Sequence, residues 1–146
     1  MKSAVDPQYA LVVGDTMLRA VALGLALIHG GYAILLTLHG ESLWALSVYD
    51  TAKSVLGGIT FWIIIAVVAS VTLIVGTFIR NEKVVGCGAT ISALWLAFFA
   101  TAFGIDAYND PTPVALPGVV IYGGTAIIAA ARVGAAMAVV RPYGAK

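Results

Sequence analysis

Apolar positions along the chain gather into four long runs, and the polar positions between them are few and clustered. The first run extends from Met17 to Leu38, carries Arg19 near its start and His29 near its middle, and stops at His39-Gly40. The second, Gly58 to Ile79, contains no charged residue. Its many β-branched residues would suit a strand, but it is far too long for one. The turn Arg80-Asn81-Glu82-Lys83 separates it from the third run, Val84 to Ile105. The fourth runs from Pro117 to Val140 after Asn109-Asp110-Pro111-Thr112-Pro113, whose prolines break any helix, and Arg132 interrupts it. Each run has the length of about 20 residues that a helix needs to cross a hydrocarbon core about 30 Å thick. In lipid the backbone must satisfy its own hydrogen bonds, which selects helix for all four. The expected fold is therefore an all-α membrane protein: residues 1–146 as one domain of four transmembrane helices in an antiparallel bundle. The spans are expected at about 17–38, 58–79, 84–105 and 117–140. The first run is too long for a signal-peptide core and three more follow it, so the N-terminus is expected to be retained. Between the first two spans, Gly40 to Gly57 mixes Leu43, Trp44, Leu46 and Val48 with polar residues, a pattern that suits a short helix lying in the interface.

Composition supports this pattern. Hydrophobic residues make up 61% of the chain and charged residues 10%, against about 25% charged in an ordinary soluble domain. The basic residues fall unevenly across the expected spans. Lys2, Arg19, Arg80, Lys83, Arg132, Arg141 and Lys146 lie on the side of the two termini, and only Lys53 on the other. Basic residues accumulate on the cytoplasmic side, which predicts a multi-pass protein with both termini in the cytoplasm. Glu41, Asp50, Asp106 and Asp110 fall on the opposite side. Trp44, Tyr49, Trp62, Tyr108 and Tyr122 lie toward that same outer face and read as headgroup-level anchors. A net charge of +1 gives no field to attract nucleic acid. The partners implied are membrane lipids and either further copies of the chain or a larger membrane complex.

Chemistry-bearing residues are scarce. A single cysteine, Cys87, excludes an intrachain disulfide, and no Cys/His spacing suggests a metal site or a cofactor. His29 is the first suspect, because an ionisable residue in mid-membrane is a functional candidate by default. It sits in Leu27-Ile28-His29-Gly30-Gly31-Tyr32, and no second histidine lies at similar depth, since His39 is about 15 Å further along a helix rising 1.5 Å per residue. The expected role is a neutral histidine bonded to a neighbouring helix, with protonation as the rival. Arg132 is the second suspect. Its long stem is expected to snorkel toward the headgroups, the rival being an ion pair with Asp15 at the edge of the first span. No carboxylate lies inside the expected spans, which argues against a small proton-coupled transporter. No nucleophile–base pairing appears, so an enzyme is not expected. Small residues, by contrast, recur at helical spacing. Ala126, Ala130, Gly134 and Ala138 mark the fourth span; Ala89, Ala93, Ala97 and Thr101 the third; and Ala22, Ala26 and Gly30 the first. Such stripes let helices approach closely, either within one bundle or between proteins.

A set of short features runs through most of the chain: His29-Gly30-Gly31, Ser47-Val48-Tyr49, Thr60-Phe61-Trp62, Gly76 before the basic turn, Trp95-x-x-Phe98-Phe99, and Asn109-Asp110-Pro111 leading to Gly118-x-x-x-Tyr122. In these the chain resembles small four-transmembrane, holin-like membrane proteins of actinobacterial phages. The resemblance implies a compact helical protein that accumulates in the cytoplasmic membrane, self-associates and opens a lesion. The competing expectation is an accessory or structural subunit of a respiratory or transport assembly.

Overall fold

Local signals in the sequence account for where each helix starts and stops. The computed structural model describes residues 7–54, 57–109 and 115–140. Its elements are α1 (Pro7–Trp44), a 3-10 turn (Ser47–Tyr49), α2 (Asp50–Ser54), α3 (Gly58–Phe78), α4 (Glu82–Asn109) and α5 (Leu116–Val140), with no strand among the described residues. At His39, where the sequence predicts that the first helix stops, the backbone leaves helical geometry (φ −128°, ψ 18°), but helix resumes as far as Trp44. The expected stop is thus a kink. Between α3 and α4 the chain reverses tightly: the Asn81 amide donates to the Gly76 carbonyl at 2.9 Å and Ile79 to Val75 at 2.9 Å. Arg80 takes the left-handed conformation that such a helix end requires (φ 55°). The Asn81 side-chain oxygen then accepts from the amides of Lys83 (3.0 Å) and Val84 (3.4 Å), capping α4. Lys2, Arg141, Lys146, Asp110, Pro111, Thr112 and Pro113 lie outside the described residues.

Four helices are long and apolar enough to cross a membrane: Val12–Trp44, Gly58–Phe78, Glu82–Asn109 and Leu116–Val139. Helix α4 is central. It packs most extensively against α5 and also along α3, while α1 lies along α3 and meets α4 and α5 more lightly. A Cβ added at Gly76 would come within 2.7 Å of the Val85 amide nitrogen, and one at Gly88 within 3.0 Å of that of Leu73. These two glycines therefore let α3 and α4 meet backbone to backbone, the packing that lipid-embedded helices favour when no hydrophobic force drives them together. Below, the end of the molecule carrying α2 is the loop end and that carrying Arg80–Asn81 the turn end.

At the loop end the segment expected to hold a short helix contains α2, docked on α4. Asp106 of α4 accepts from the Thr51 amide (3.2 Å) and the Thr51 hydroxyl (2.5 Å). Tyr49 packs on Phe103 with ring centroids 5.3 Å apart, and both Tyr49 and Ala52 are buried. The aromatic anchors expected from sequence are corrected accordingly. Trp62 is buried against Phe98 and Phe99, Tyr122 is half-buried on Phe99, and Trp44 stacks on Tyr49. Only Tyr108 of the five stands out from the surface, 90% exposed. The others lie on faces that meet a neighbouring helix or α2, so their large rings fill the core.

Candidate functional site

The buried polar residues of the described chain are His29, Ser70, Ser92 and Arg132, one each on α1, α3, α4 and α5. Ser70 of α3 donates to the Ala26 carbonyl of α1 at 2.8 Å, beside Gly30, where an added Cβ would lie 3.0 Å from the Ser70 hydroxyl. This hydrogen bond between helices fastens α1 to α3.

His29 is fully buried. Its Nδ1 lies 2.9 Å from the Leu25 carbonyl one turn earlier on the same helix. A carbonyl can only accept, so in the neutral ring Nδ1 carries the hydrogen and Nε2 the free lone pair. The expected hydrogen bond to a neighbouring helix is corrected: the polar contact is to its own backbone, and the neighbouring Trp95 of α4 lies tilted against the ring with centroids 5.0 Å apart. Tyr32 sits edge-on to Trp95 at 4.8 Å, and Phe99 and Tyr122 complete an aromatic cluster joining α1, α4 and α5. Among the described residues, His29 Nε2, the Tyr32 and Ser92 hydroxyls and the Trp95 indole N–H are buried with no hydrogen-bond partner. Ser92 differs in this from Thr90 and Thr101 on the same helix, whose hydroxyls bond the carbonyl one turn back.

Arg132 departs from both sequence expectations. Its side chain is 1% exposed and bonds Glu82 at the start of α4 at 2.8 Å, while its Nε donates to the Leu18 carbonyl of α1 at 3.1 Å. One guanidinium thus joins α5, α4 and α1 near the turn end. It neither snorkels nor reaches Asp15, which pairs instead with Arg19 at 2.8 Å. The reason is geometric: the face of α5 that carries Arg132 packs against α4, whose first residue is Glu82. Sequence reading missed Glu82 because it lies in a basic turn and reads as solvated, fifty residues from its partner.

The small-residue stripes divide between inside and outside. Ala22, Ala26 and Ala89 are buried, Gly30, Ala93 and Ala126 half-buried, and Ala97, Ala130, Gly134 and Ala138 exposed. A strict four-residue repeat advances about 40° per step around a helix of 3.6 residues per turn. The stripes on α4 and α5 therefore wind from the packed face to the outward face instead of running along one side, while that on α1 ends half-buried at Gly30. On α5 the residues that pack inward are Ala129, Arg132 and Ala136, and no side chain lies within 4 Å of where a Cβ at Gly134 would stand.

Among the described residues no three His, Cys, Asp or Glu side chains gather as a metal-binding group, and Cys87 is exposed on α4. The arrangement holds helices together through buried polar contacts and leaves an outward face on α5 that the described residues do not cover. No family model, curated protein or solved structure matches the chain.

Proposed function

We propose that this chain is a holin-like, multi-pass protein of a bacterial cytoplasmic membrane, an antiparallel four-helix unit with both termini cytoplasmic that acts by self-association. The observation that carries this reading is the outward placement of Ala130, Gly134 and Ala138. The four helices complete their mutual packing without them, so this close-approach surface is left for contact between molecules. The antiparallel arrangement is supported by the order of contacts between α3 and α4: Trp62 meets Phe98, Leu73 meets Gly88 and Gly76 meets Val85. The cytoplasmic placement of the turn end is supported by Arg19, Arg80 and Lys83, which gather there. Lesion formation asks for no catalytic set, only a compact unit that accumulates and associates.

The test is induction in a bacterium with a membrane-potential dye, comparing the wild type with Gly134→Leu at equal membrane level. Abrupt depolarisation above a threshold, weakened in Gly134→Leu, is the expected result. Sustained growth and an unchanged potential at high membrane levels would overturn the proposal in favour of an accessory subunit.

A further inference from the structure

Each consecutive pair of the four long helices meets across a glycine. Gly30 of α1 faces Ser70 of α3, Gly76 of α3 faces Val85 of α4, and Gly86 of α4 faces Ala136 of α5. At no glycine among the described residues would an added Cβ of α1 meet α5, or one of α5 meet α1. These two helices touch more lightly, and long side chains bridge them. Arg132 donates from Nε to the Leu18 carbonyl at 3.1 Å, and the Tyr32 ring lies 6.4 Å from that of Tyr122. Three sides of the bundle are therefore close-packed, and the fourth is held by side chains.

Unused polar groups collect behind that fourth side. Six buried side-chain polar atoms have no hydrogen-bond partner among the described residues, and five of them belong to α1, α4 and α5: His29 Nε2, the Tyr32 and Ser92 hydroxyls, Trp95 Nε1 and Arg132 Nη1. The Trp95 ring lies 5.0 Å from that of His29 and 4.8 Å from that of Tyr32, and Ser92 stands one turn earlier on α4. From Glu82, the partner of Arg132, to Phe99, on which Tyr32 packs, α4 rises about 26 Å, most of a hydrocarbon core about 30 Å thick. Elsewhere the hydroxyls are spent. Those of the exposed Thr90 and Thr101 and of the half-buried Thr72 and Thr125 each bond a carbonyl of their own helix.

A buried polar atom without a partner costs the closed unit its lost hydration, and the cost is relieved when water reaches it. Water that enters the membrane beside this protein therefore gains more from the interior than from the outer faces. We infer that the unit opens along its α1–α5 side and that His29, Tyr32, Ser92, Trp95 and Arg132 then line the lesion. This inference rests on the holin-like reading and specifies which surface meets water. The outward face of α5 at Ala130, Gly134 and Ala138 stays free for contact between copies.

The experiment is thiol labelling in membranes of a Cys87→Ser chain, with a membrane-impermeant methanethiosulfonate added before and after depolarisation. Three single substitutions report three surfaces: Ser92→Cys the interior behind the α1–α5 side, Ser70→Cys the contact between α1 and α3, and Leu94→Cys the outer face of α4, where Leu94 is 69% exposed. After depolarisation Ser92→Cys should label severalfold more than before, while Ser70→Cys and Leu94→Cys stay unlabelled. His29→Phe, which removes one free polar atom from the interior, should delay depolarisation at equal membrane level. Labelling of Leu94→Cys in place of Ser92→Cys would give the lining to the outer face, and labelling of Ser70→Cys equal to that of Ser92→Cys would mean that the helices part on every side. Either result overturns the inference while the lesion stands. Depolarisation with Ser92→Cys unlabelled and an unchanged onset in His29→Phe would overturn it as well. No depolarisation at any membrane level would remove the holin-like reading and this inference with it.

Discussion

Arg132 and Glu82 form a partner pair of unequal burial, and the inequality decides which substitution costs more. The Arg132 side chain is 1% exposed and that of Glu82 24%. Glu82→Gln leaves a buried guanidinium without its counter-charge and with only neutral oxygens to accept from it, whereas Arg132→Met leaves a carboxylate already in touch with the surface. Breaking a buried pair from one side costs about 3–5 kcal/mol. With the partial exposure of Glu82 the loss for Glu82→Gln is expected at about 2–3 kcal/mol, and that for Arg132→Met at less. Reversible unfolding in mixed micelles measures both, and equal losses would show that burial does not set the order. His29 poses the opposite case. Its Nδ1 bonds a carbonyl of its own helix and Nε2 bonds nothing among the described residues, while the ring packs on Trp95. His29→Phe keeps the ring and removes an unpaired polar atom, so it should leave stability unchanged or raise it slightly. His29→Gln, which loses the ring contact with Trp95, should lower stability by about 0.5–1.5 kcal/mol, the size of an aromatic pair contact. A large loss in His29→Phe, with the fold intact, would mean that Nε2 has a partner.

Glycines of the same composition act differently on different elements. On α4, Gly88 faces the backbone of Leu73, while Gly134 of α5 faces open space. Gly88→Ala must part α3 from α4, an overpacking cost of about 1–3 kcal/mol. In an isolated chain, Gly134→Ala should cost nothing and gain up to about 1 kcal/mol of helix propensity. Thermal melts at high detergent dilution, where chains are single, separate the two; a destabilised Gly134→Ala monomer would mean that α5 packs by another face. Periodicity placed both glycines on helices, but it carried no information on which face had a neighbour. The drift of the four-residue stripes resolves the difference only once the helices are docked. Likewise the docking of α2 depends on Thr51 meeting Asp106, residues separated by an entire helical hairpin.

For the whole molecule, the positive-inside pattern predicts that reporters fused at either terminus read cytoplasmic and that one inserted near Asp50 does not. Activity of an alkaline phosphatase fusion at the C-terminus would remove one crossing and sink the proposed topology. In the proposed topology the turn end, with the Arg132–Glu82–Leu18 junction, faces the cytoplasm. Helix α1 meets α5 through this junction and through the Tyr32–Tyr122 ring contact at 6.4 Å.

The four apolar helices were legible in the sequence alone, because a run of about 20 apolar residues has no other way to satisfy its backbone out of water. So were the tight turn at Arg80-Asn81 and the break at His39, since turns and caps are made by residues close together in the chain. What tertiary structure alone decided was which side of each helix has a neighbour. In a helix apolar on every face, hydrophobic periodicity carries little directional signal, and lipid and protein neighbours demand similar side chains. Hence Trp62 and Tyr122 entered the core, Arg132 found Glu82 instead of the headgroups, and Ala130, Gly134 and Ala138 turned outward. Those choices follow from contacts between residues tens of positions apart, which no local spacing specifies.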